Sequence, residues 1–141
     1  MIYKTNSSDE TQALGRSLAR HLTPGMVFGL EGGLGSGKTE LVRGVMDALN
    51  PSAVVRSPSF SLVNTYDTPK FLVHHFDFYR LNEGAELWEI GFDEYINPDS
   101  VAFIEWAQIC ADQLPKDLIY IAFTEAVGDS RIISIDFEEQ L

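Results

Sequence analysis

The stretch EGGLGSGKTELVRGV, residues 31–45, decides the fold of this chain. In it, Gly32 is followed after four residues by Gly37, Lys38 and Thr39, the pattern G-x-x-x-x-G-K-[ST] of a phosphate-binding loop, or P-loop. Glycines let the backbone turn so that successive N–H groups point at phosphate oxygens. Lys38 is expected on the β- and γ-phosphates and the Thr39 hydroxyl on Mg²⁺, at the positive N-terminal end of the next helix. The stretch therefore predicts a nucleotide site.

The segments on either side of this loop have the patterns that a P-loop requires. Before it, MVFGLEG is a short apolar run that ends in glycine, as expected of a buried strand. After it, Leu41, Val45 and Leu49 recur at helical spacing until NPS ends the helix. Strand, loop and helix thus follow each other in the required order.

The remaining segments alternate between helix and strand patterns. A helix is predicted in SSDETQALGRSLARHL, where Leu14, Leu18 and Leu22 share one face, and one or two short helices in GAELWEIGFDEYI. FSLVNTY and FLVHHFD are predicted to form a hairpin around DTPK, SVAFIEW a buried strand, and LIYIAFTE with RIISIDF a closing pair around VGDS. We expect one domain over residues 1–141 with an α/β fold of the P-loop NTPase type. Such a fold has three α/β/α layers, with a mostly parallel sheet and antiparallel additions.

The composition excludes several classes of protein. The 10 basic and 21 acidic residues give a formal net charge of −11. This charge repels a phosphate backbone, so direct, stable binding of nucleic acid is not expected. No apolar run reaches the length of a membrane span, and the start MIYKTNSSDE lacks the apolar stretch of a signal peptide. With the single Cys110, which suits a reducing compartment, these features predict a cytoplasmic protein without membrane association.

Two strand-like runs each end on a carboxylate. LVHHFD ends in Asp77, and VAFIE ends in Glu105. Nucleotide hydrolysis needs Mg²⁺ and an oriented water, and acidic residues at the carboxyl ends of strands beside the loop supply both. The pattern leaves two assignments open, because either carboxylate could bind Mg²⁺ while the other orients the water.

Three residues close in sequence to Asp77 or Glu105 are interpreted first as structural residues. His74 and His75 are adjacent and point to opposite faces of a strand, so we expect strand histidines with satisfied hydrogen bonds and no metal site there. Trp106, directly after Glu105, could be a core residue or could lie near the nucleotide, and the sequence alone favours the core.

Positive charge is scarce, which limits the choice of substrate. The sequence has no arginine-rich lid for a second phosphorylated substrate and no guanine-specificity N-K-x-D motif. The residues therefore indicate a minimal P-loop ATPase that acts on another protein. Two alternatives stay open: a small-molecule kinase of the P-loop type, and a nucleotide-dependent binding switch with incidental hydrolysis.

Several blocks together resemble the bacterial TsaE family: GGLGSGKT, SPSFSLVNTY, HFDFYRL, ELWEIGFDEY and FIEWA. The resemblance implies an Mg²⁺-dependent ATP-binding protein that hydrolyses ATP slowly alone, to ADP and phosphate. Family members support the transfer of a threonylcarbamoyl group to a transfer-RNA adenosine. The transfer is made by a TsaD-like transferase, together with a TsaB-like partner protein.

The resemblance also assigns roles to residues of this sequence. The residues expected to wrap the phosphates are Leu34, Gly35, Ser36, Gly37, Lys38 and Thr39. Glu105 is expected to hold Mg²⁺ with Thr39, and Asp77 to face the γ-phosphate as the water-orienting group or base. Lys38, Asp77 and Glu105 are thus the expected catalytic residues, and Arg131 is expected to reach the nucleotide.

Two further segments receive roles by the same resemblance. SPSFS, residues 57–61, is expected to be a switch-like loop, supported by Arg80, which could instead serve the partner interface. The first helix, around residues 8–11, is expected to border the adenine.

The sequence departs from the family pattern at two places. The family usually reads GDLGAGKT, with aspartate where this chain has Gly33. It usually has threonine where Ser59 and Ser61 stand, and the serines keep the hydroxyl groups. Gly33 removes a carboxylate from the loop entrance, which leaves the stiffness of the loop and the rate of hydrolysis undetermined.

Overall fold

The structure, a computed structural model, describes residues 1–58, 60–81, 87–125 and 127–141. Within these residues, seven strands form one sheet, with helical elements beside it. The strands are β1 (Ile2–Thr5), β2 (Val27–Glu31), β3 (Val63–Tyr66), β4 (Leu72–Asp77), β5 (Ser100–Glu105), β6 (Ile119–Glu125) and β7 (Arg131–Ile135). The helices are α1 (Ser8–Ala19), α2 (Lys38–Leu49) and α3 (Phe92–Tyr95), with 3₁₀ segments at Leu87–Ile90 and Ala107–Gln113.

The sheet has a parallel centre and antiparallel edges. Its strand order is β1-β7-β6-β2-β5-β4-β3. β6, β2, β5 and β4 run parallel, while β7 pairs antiparallel with β6, β1 with β7, and β3 with β4. The predicted α/β fold is confirmed, as are the antiparallel pairs β3–β4 and β6–β7. The sequence does not predict β1, because IYKT is too short and polar to form a strand without its partner β7.

The first helix begins where its capping pattern predicts. The Ser7 side-chain oxygen accepts a hydrogen bond from the N–H of Glu10 at 3.1 Å, which satisfies one N–H group of the first turn. Leu14 and Leu18 are buried from one face of α1, and Leu22, just past the helix end, is buried with them. The apolar spacing in the sequence therefore marks the face that packs on the sheet.

Two glycines let α1 and α2 approach each other closely. A Cβ atom on Gly15 would overlap the backbone oxygen of Leu41, and one on Gly44 would overlap the backbone oxygen of Gln12. No side chain larger than hydrogen therefore fits at the crossing without moving one helix. This close approach fixes α2, and with it the loop that precedes α2.

The two faces of the sheet are covered unequally. Phe28 and Phe103, stacked with ring centroids 5.0 Å apart, belong to the core on the face covered by α1 and α2. On the other face, Phe76 of β4 and the nearby Phe78 meet Phe92 of α3 edge to face, and the 3₁₀ segments pack there as well. The predicted layers are present on both faces, but the second consists of short turns. None of the helices in the described residues has the length and apolar composition to cross a membrane.

The strand register brings the predicted carboxylates together. Leu30 of β2 and Asp77 of β4 both pair with Glu105 of β5, which lies between them. β2 continues directly into residues 32–37, called the glycine loop below, and then into α2. Because the carboxyl ends of parallel strands share one edge of the sheet, the loop and both carboxylates meet there.

Candidate functional site

The glycine loop contains positions that only glycine fits without strain. Gly37, the residue before α2, has a φ of 102°, in the left-handed region. A Cβ atom on Gly32 would lie 2.7 Å from Oγ of Ser36 and 2.9 Å from Cβ of Phe123. Gly33 has nothing within 4 Å of the same position. The absence of the family's aspartate at Gly33 is therefore not imposed by packing.

The N-terminus of α2 is open. No side chain caps it, and the first N–H groups of an α-helix have no acceptor within the helix. These groups carry the partial positive charge of the helix dipole. The end of the loop is therefore a favourable place for an anion.

A cavity of about 500 Å³ lies at the glycine loop. It is lined by every residue predicted for the site: Leu34, Gly35, Ser36, Gly37, Lys38, Thr39, Asp77, Glu105 and Arg131. Ser7, Ser8 and Thr11, at the start of α1, also line it, where the base of a nucleotide is expected. This volume is typical of small-molecule sites. The predicted residues thus meet in one cavity, and their roles toward a ligand stay predictions.

Lys38 folds back onto the loop. Its Nζ donates hydrogen bonds to the carbonyl oxygens of Gly32 at 2.5 Å and Gly33 at 3.2 Å. Burial lowers the pKa of Lys38 below its usual 10.5, while the negative charges of Glu105 and Asp77 act in the opposite direction. The ammonium group is therefore partly desolvated and held by dipoles of the loop.

Thr39 and Glu105 are joined by a hydrogen bond in the cavity wall. Thr39 Oγ1 donates to Oε2 of Glu105 at 2.9 Å, and Nε2 of His75 lies 2.5 Å from the same oxygen. Glu105 is only 4% exposed. The first hydroxyl of α2 and the last carboxylate of β5 are thus held together.

Asp77 lies beside Glu105 at the end of β4 and is also buried. Its Oδ1 accepts a hydrogen bond from the backbone N–H of Tyr79 at 2.9 Å. This bond fixes the carboxylate where the chain turns out of the strand. Asp77 therefore forms a rigid part of the cavity wall.

The side-chain oxygens at this edge of the sheet are suitable ligands for Mg²⁺. Thr39, Asp77 and Glu105 present hydroxyl and carboxylate oxygens, which are hard ligands. The described residues contain no group of three or more His, Cys, Asp or Glu side chains that could hold a metal together. Mg²⁺ is usually bound by one or two carboxylates together with phosphate oxygens and water, and these residues match that arrangement.

Arg131 braces the glycine loop from β7. Its Nε donates to the carbonyl oxygen of Ser36 at 3.2 Å, and its Nη2 to that of Gly35 at 3.0 Å. Its Nη1 donates to the carbonyl oxygens of Gly128 and Ser130 in the preceding turn. The guanidinium group thus links two backbone segments beside the cavity. A contact between Arg131 and a nucleotide stays a prediction.

The SPSFS segment is only partly described. Ser57 lines the cavity, Ser59 lies outside the described residues, and Ser61 is exposed. Arg80 contacts the segment, since its guanidinium carbon lies 4.3 Å from the centroid of the Phe60 ring. That ring is 87% exposed. A switching role for this segment stays a prediction.

Trp106 packs against the edge of the core and is only half-buried, so the interpretation that the sequence favoured, a core residue, is wrong. It has a φ of 58°, which turns the chain immediately after β5. Its half-buried ring lines the cavity, with Lys38 Nζ 4.1 Å and the Tyr79 ring 4.9 Å from its centroid. The apolar run before Trp106 could not reveal this turn, because it depends on where the strand ends.

The two histidines of β4 have different surroundings. His74 Nδ1 lies 2.9 Å from Oγ1 of Thr65, and its ring packs edge-on against Tyr95. His75 contacts Glu105 through Nε2, but its buried Nδ1 has no hydrogen-bond partner among the described residues. The prediction of satisfied hydrogen bonds is thus wrong for Nδ1 of His75. The two-residue spacing between His75 and Asp77, which puts both on one face of a strand, is the signal that could have linked His75 to the site.

Comparison with known proteins identifies the family. The family model described as threonylcarbamoyl adenosine biosynthesis protein TsaE matches residues 5–133. This chain belongs to the TsaE family. Two TsaE relatives share the name tRNA threonylcarbamoyladenosine biosynthesis protein TsaE. The one from Bacillus subtilis is 33% identical over 132 residues, which cover 94% of this chain and 82% of the relative. The one from Rickettsia prowazekii is 33% identical over 141 residues, which cover 99% and 97%.

A solved structure supports the same grouping. The crystal structure of Bacillus subtilis YdiB superposes with a TM-score of 0.82 at 30% sequence identity. The match covers 96% of this chain and 83% of the YdiB chain. The resemblance to the TsaE family that the sequence blocks indicated is confirmed over nearly the whole chain.

Proposed function

We propose that this chain is an Mg²⁺-dependent ATP-binding protein and slow ATPase of the P-loop NTPase type. In this proposal it supports the transfer of a threonylcarbamoyl group to a transfer-RNA adenosine by a partner transferase. One observation carries the proposal: the glycine loop with Lys38 and Thr39 meets both strand-end carboxylates in a single cavity. One carboxylate suffices to hold Mg²⁺ beside bound phosphates, and the second supports hydrolysis because it can orient the attacking water.

ATP binding begins at the glycine loop. The N–H groups of the loop and of the open α2 N-terminus receive the phosphate oxygens. Lys38 leaves the carbonyl oxygens of Gly32 and Gly33 and turns to the β- and γ-phosphates. The ammonium group is already partly desolvated, so its attraction to the phosphates is less weakened by water.

The two carboxylates take different roles. Thr39 and Glu105, which share a hydrogen bond, would hold Mg²⁺, which neutralises charge on the phosphate oxygens when it is bound. Asp77 is anchored by the N–H of Tyr79 at the neighbouring strand end, and orients the attacking water or accepts its proton. The hydrogen bond between Thr39 and Glu105 supports this division of roles, which the sequence pattern left open.

The pathway assignment rests on the family. The TsaE relatives are named for transfer-RNA threonylcarbamoyladenosine biosynthesis. With a net charge of −11, this chain repels RNA, so partners would hold the transfer RNA. We propose a TsaD-like transferase and a TsaB-like protein as those partners, in the cytoplasm.

Hydrolysis of ATP with and without purified TsaD and TsaB proteins tests the proposal. We expect slow release of ADP and phosphate by the chain alone, faster release with both partners, and co-elution in size-exclusion chromatography. Lys38→Ala is expected to weaken ATP binding about 100-fold, because a charged contact to the phosphates is lost. Lys70→Ala, which removes an exposed lysine in the β3–β4 hairpin, is the matched control.

The outcomes separate the parts of the proposal. An ATP affinity of Lys38→Ala equal to that of the wild-type protein would contradict the proposed nucleotide site. Normal binding and hydrolysis without stimulation or co-elution would contradict the pathway assignment and leave the nucleotide site standing. Transfer of phosphate to a small metabolite would identify a kinase instead.

A further inference from the structure

His75 contributes a buried contact to the site. Its side chain is fully buried, and its Nε2 lies 2.5 Å from Oε2 of Glu105. Thr39 Oγ1 donates to that same oxygen at 2.9 Å. Both of these hydrogen bonds end on Oε2, so the carboxylate is held from the sheet side by His75 and from the helix side by Thr39.

The surroundings of the ring define its tautomer. A carboxylate oxygen is only an acceptor, so Nε2 of His75 must carry the proton in its contact with Glu105. Nδ1 is buried without a partner among the described residues, and a buried N–H without an acceptor is costly. The arrangement therefore favours the imidazole with its proton on Nε2 and a lone pair on Nδ1.

We propose that His75 is a positioning residue: its hydrogen bond orients the carboxylate of Glu105 toward the Mg²⁺ of bound Mg–ATP. This inference rests on the proposed function and adds a residue to it. Residues that hold a metal-ligating carboxylate by a hydrogen bond determine its orientation, and their loss commonly weakens metal binding 10- to 100-fold. Of the two side chains that the described residues place in hydrogen-bond contact with Glu105, His75 lies outside the proposed metal ligands. It can therefore hold the carboxylate both before and after the ion binds.

His74 gives a natural comparison on the same strand. It packs on the opposite face of the sheet against Thr65 and Tyr95. Loss of a histidine there removes a similar volume from β4 without touching Glu105. An effect that the His74 and His75 variants share would therefore come from a disturbance of β4 and not from loss of the contact with Glu105.

Two substitutions of His75 distinguish the effect of losing the hydrogen bond to Glu105 from the effect of changing the side-chain volume. His75→Gln places an N–H donor the same number of bonds from Cα as Nε2, whereas His75→Met has a similar length and no donor. The measurement is calorimetric titration of Mg²⁺ into protein with a hydrolysis-resistant ATP analogue in which nitrogen bridges the β- and γ-phosphates. Binding of the same analogue in EDTA, ATP hydrolysis and thermal unfolding complete the comparison, with His74→Met as the control.

We expect His75→Met to raise the Mg²⁺ concentration for half-saturation about 10-fold or more, with analogue binding in EDTA unchanged. Its kcat should fall with little change in KM, and His75→Gln should recover most of both effects. Equal Mg²⁺ affinity in His75→Met and wild type, or equal losses in Met and Gln variants, would overturn the inference. A wild-type protein that binds no analogue would instead contradict the proposed function.

A measurement on the wild-type protein does not depend on folding of any variant. Nitrogen-15 chemical shifts of the ligand-free protein report which ring nitrogen of His75 carries the proton. We expect a proton on Nε2 and none on Nδ1. A proton on Nδ1 with a bare Nε2 would overturn the inference, because His75 could then not donate to Glu105.

Discussion

At the scale of single residues, the site separates two carboxylates that look equivalent in the sequence. Asp77 and Glu105 both end apolar runs, and they are partners in the register of β4 and β5. Their neighbours differ, because Glu105 contacts Thr39 and His75 while Asp77 accepts the N–H of Tyr79. The two carboxylates therefore differ in their hydrogen bonds, and the proposed roles rest on that difference.

Asp77→Asn tests the proposal that Asp77 orients the attacking water or accepts its proton. The amide keeps an oxygen for the N–H of Tyr79, so the turn should survive, but it cannot accept a proton. We expect kcat for ATP hydrolysis to fall at least about 100-fold, the usual contribution of a general base, while ATP affinity changes only a few-fold. Steady-state hydrolysis and calorimetry measure the two effects, and Asp67→Asn, in the exposed hairpin turn, is the control. Undiminished hydrolysis in Asp77→Asn would show that Asp77 does not orient the water.

The lowered pKa of Lys38 determines whether the free energy of unfolding rises or falls with pH. Burial lowers its pKa, so between that lowered value and 10.5 the unfolded chain holds a proton that the folded chain has released. Stability rises with pH wherever the unfolded state binds more protons. We therefore expect the free energy of unfolding of nucleotide-free wild type to rise, relative to Lys38→Met, as pH increases through this window. Urea unfolding at several pH values measures this difference in free energy between the wild-type protein and Lys38→Met. A difference that stays constant or falls as pH increases would contradict the lowered pKa of Lys38.

At the scale of elements, the approach of α1 to α2 positions the glycine loop. Gly15 and Gly44 permit this approach, and a side-chain network reinforces it. In that network Gln12 Nε2 donates to Oε2 of Glu40 at 2.6 Å, and Glu40 also pairs with Arg43. Arg131 holds the loop from the other side, through carbonyl oxygens. The loop is thus fixed at its helix and at the β6–β7 turn.

Gly44→Ala tests the helix contact. Alanine is favoured over glycine within a helix by about 1 kcal/mol, but here its Cβ overlaps the backbone oxygen of Gln12. We expect the overlap to dominate, with a net loss of about 1–3 kcal/mol in the free energy of unfolding. Urea unfolding measures the loss, and Gly33→Ala, where nothing lies within 4 Å, is the matched control. A stabilised Gly44→Ala protein would mean that the helices do not pack this closely.

At the scale of the whole molecule, much of the architecture could be predicted because it follows from local patterns. The α1 cap, the apolar faces, the β3–β4 hairpin and the strand–loop–helix order each depend on residues close in the chain. β1 could not be predicted, because its partner β7 lies at the other end of the chain. Trp106 was misassigned because a single left-handed residue redirects the chain after β5.

The sequence by itself determined the glycine loop, the strand-end carboxylates and the membership of the TsaE family, since each depends on residue types at fixed spacing. Only the tertiary structure decided how those residues are paired. The contact of His75 with Glu105 joins residues 30 positions apart, and that of Thr39 with Glu105 joins residues 66 apart. Such contacts depend on strand order and register, which arise when the whole sheet assembles and not from the local preferences of the chain.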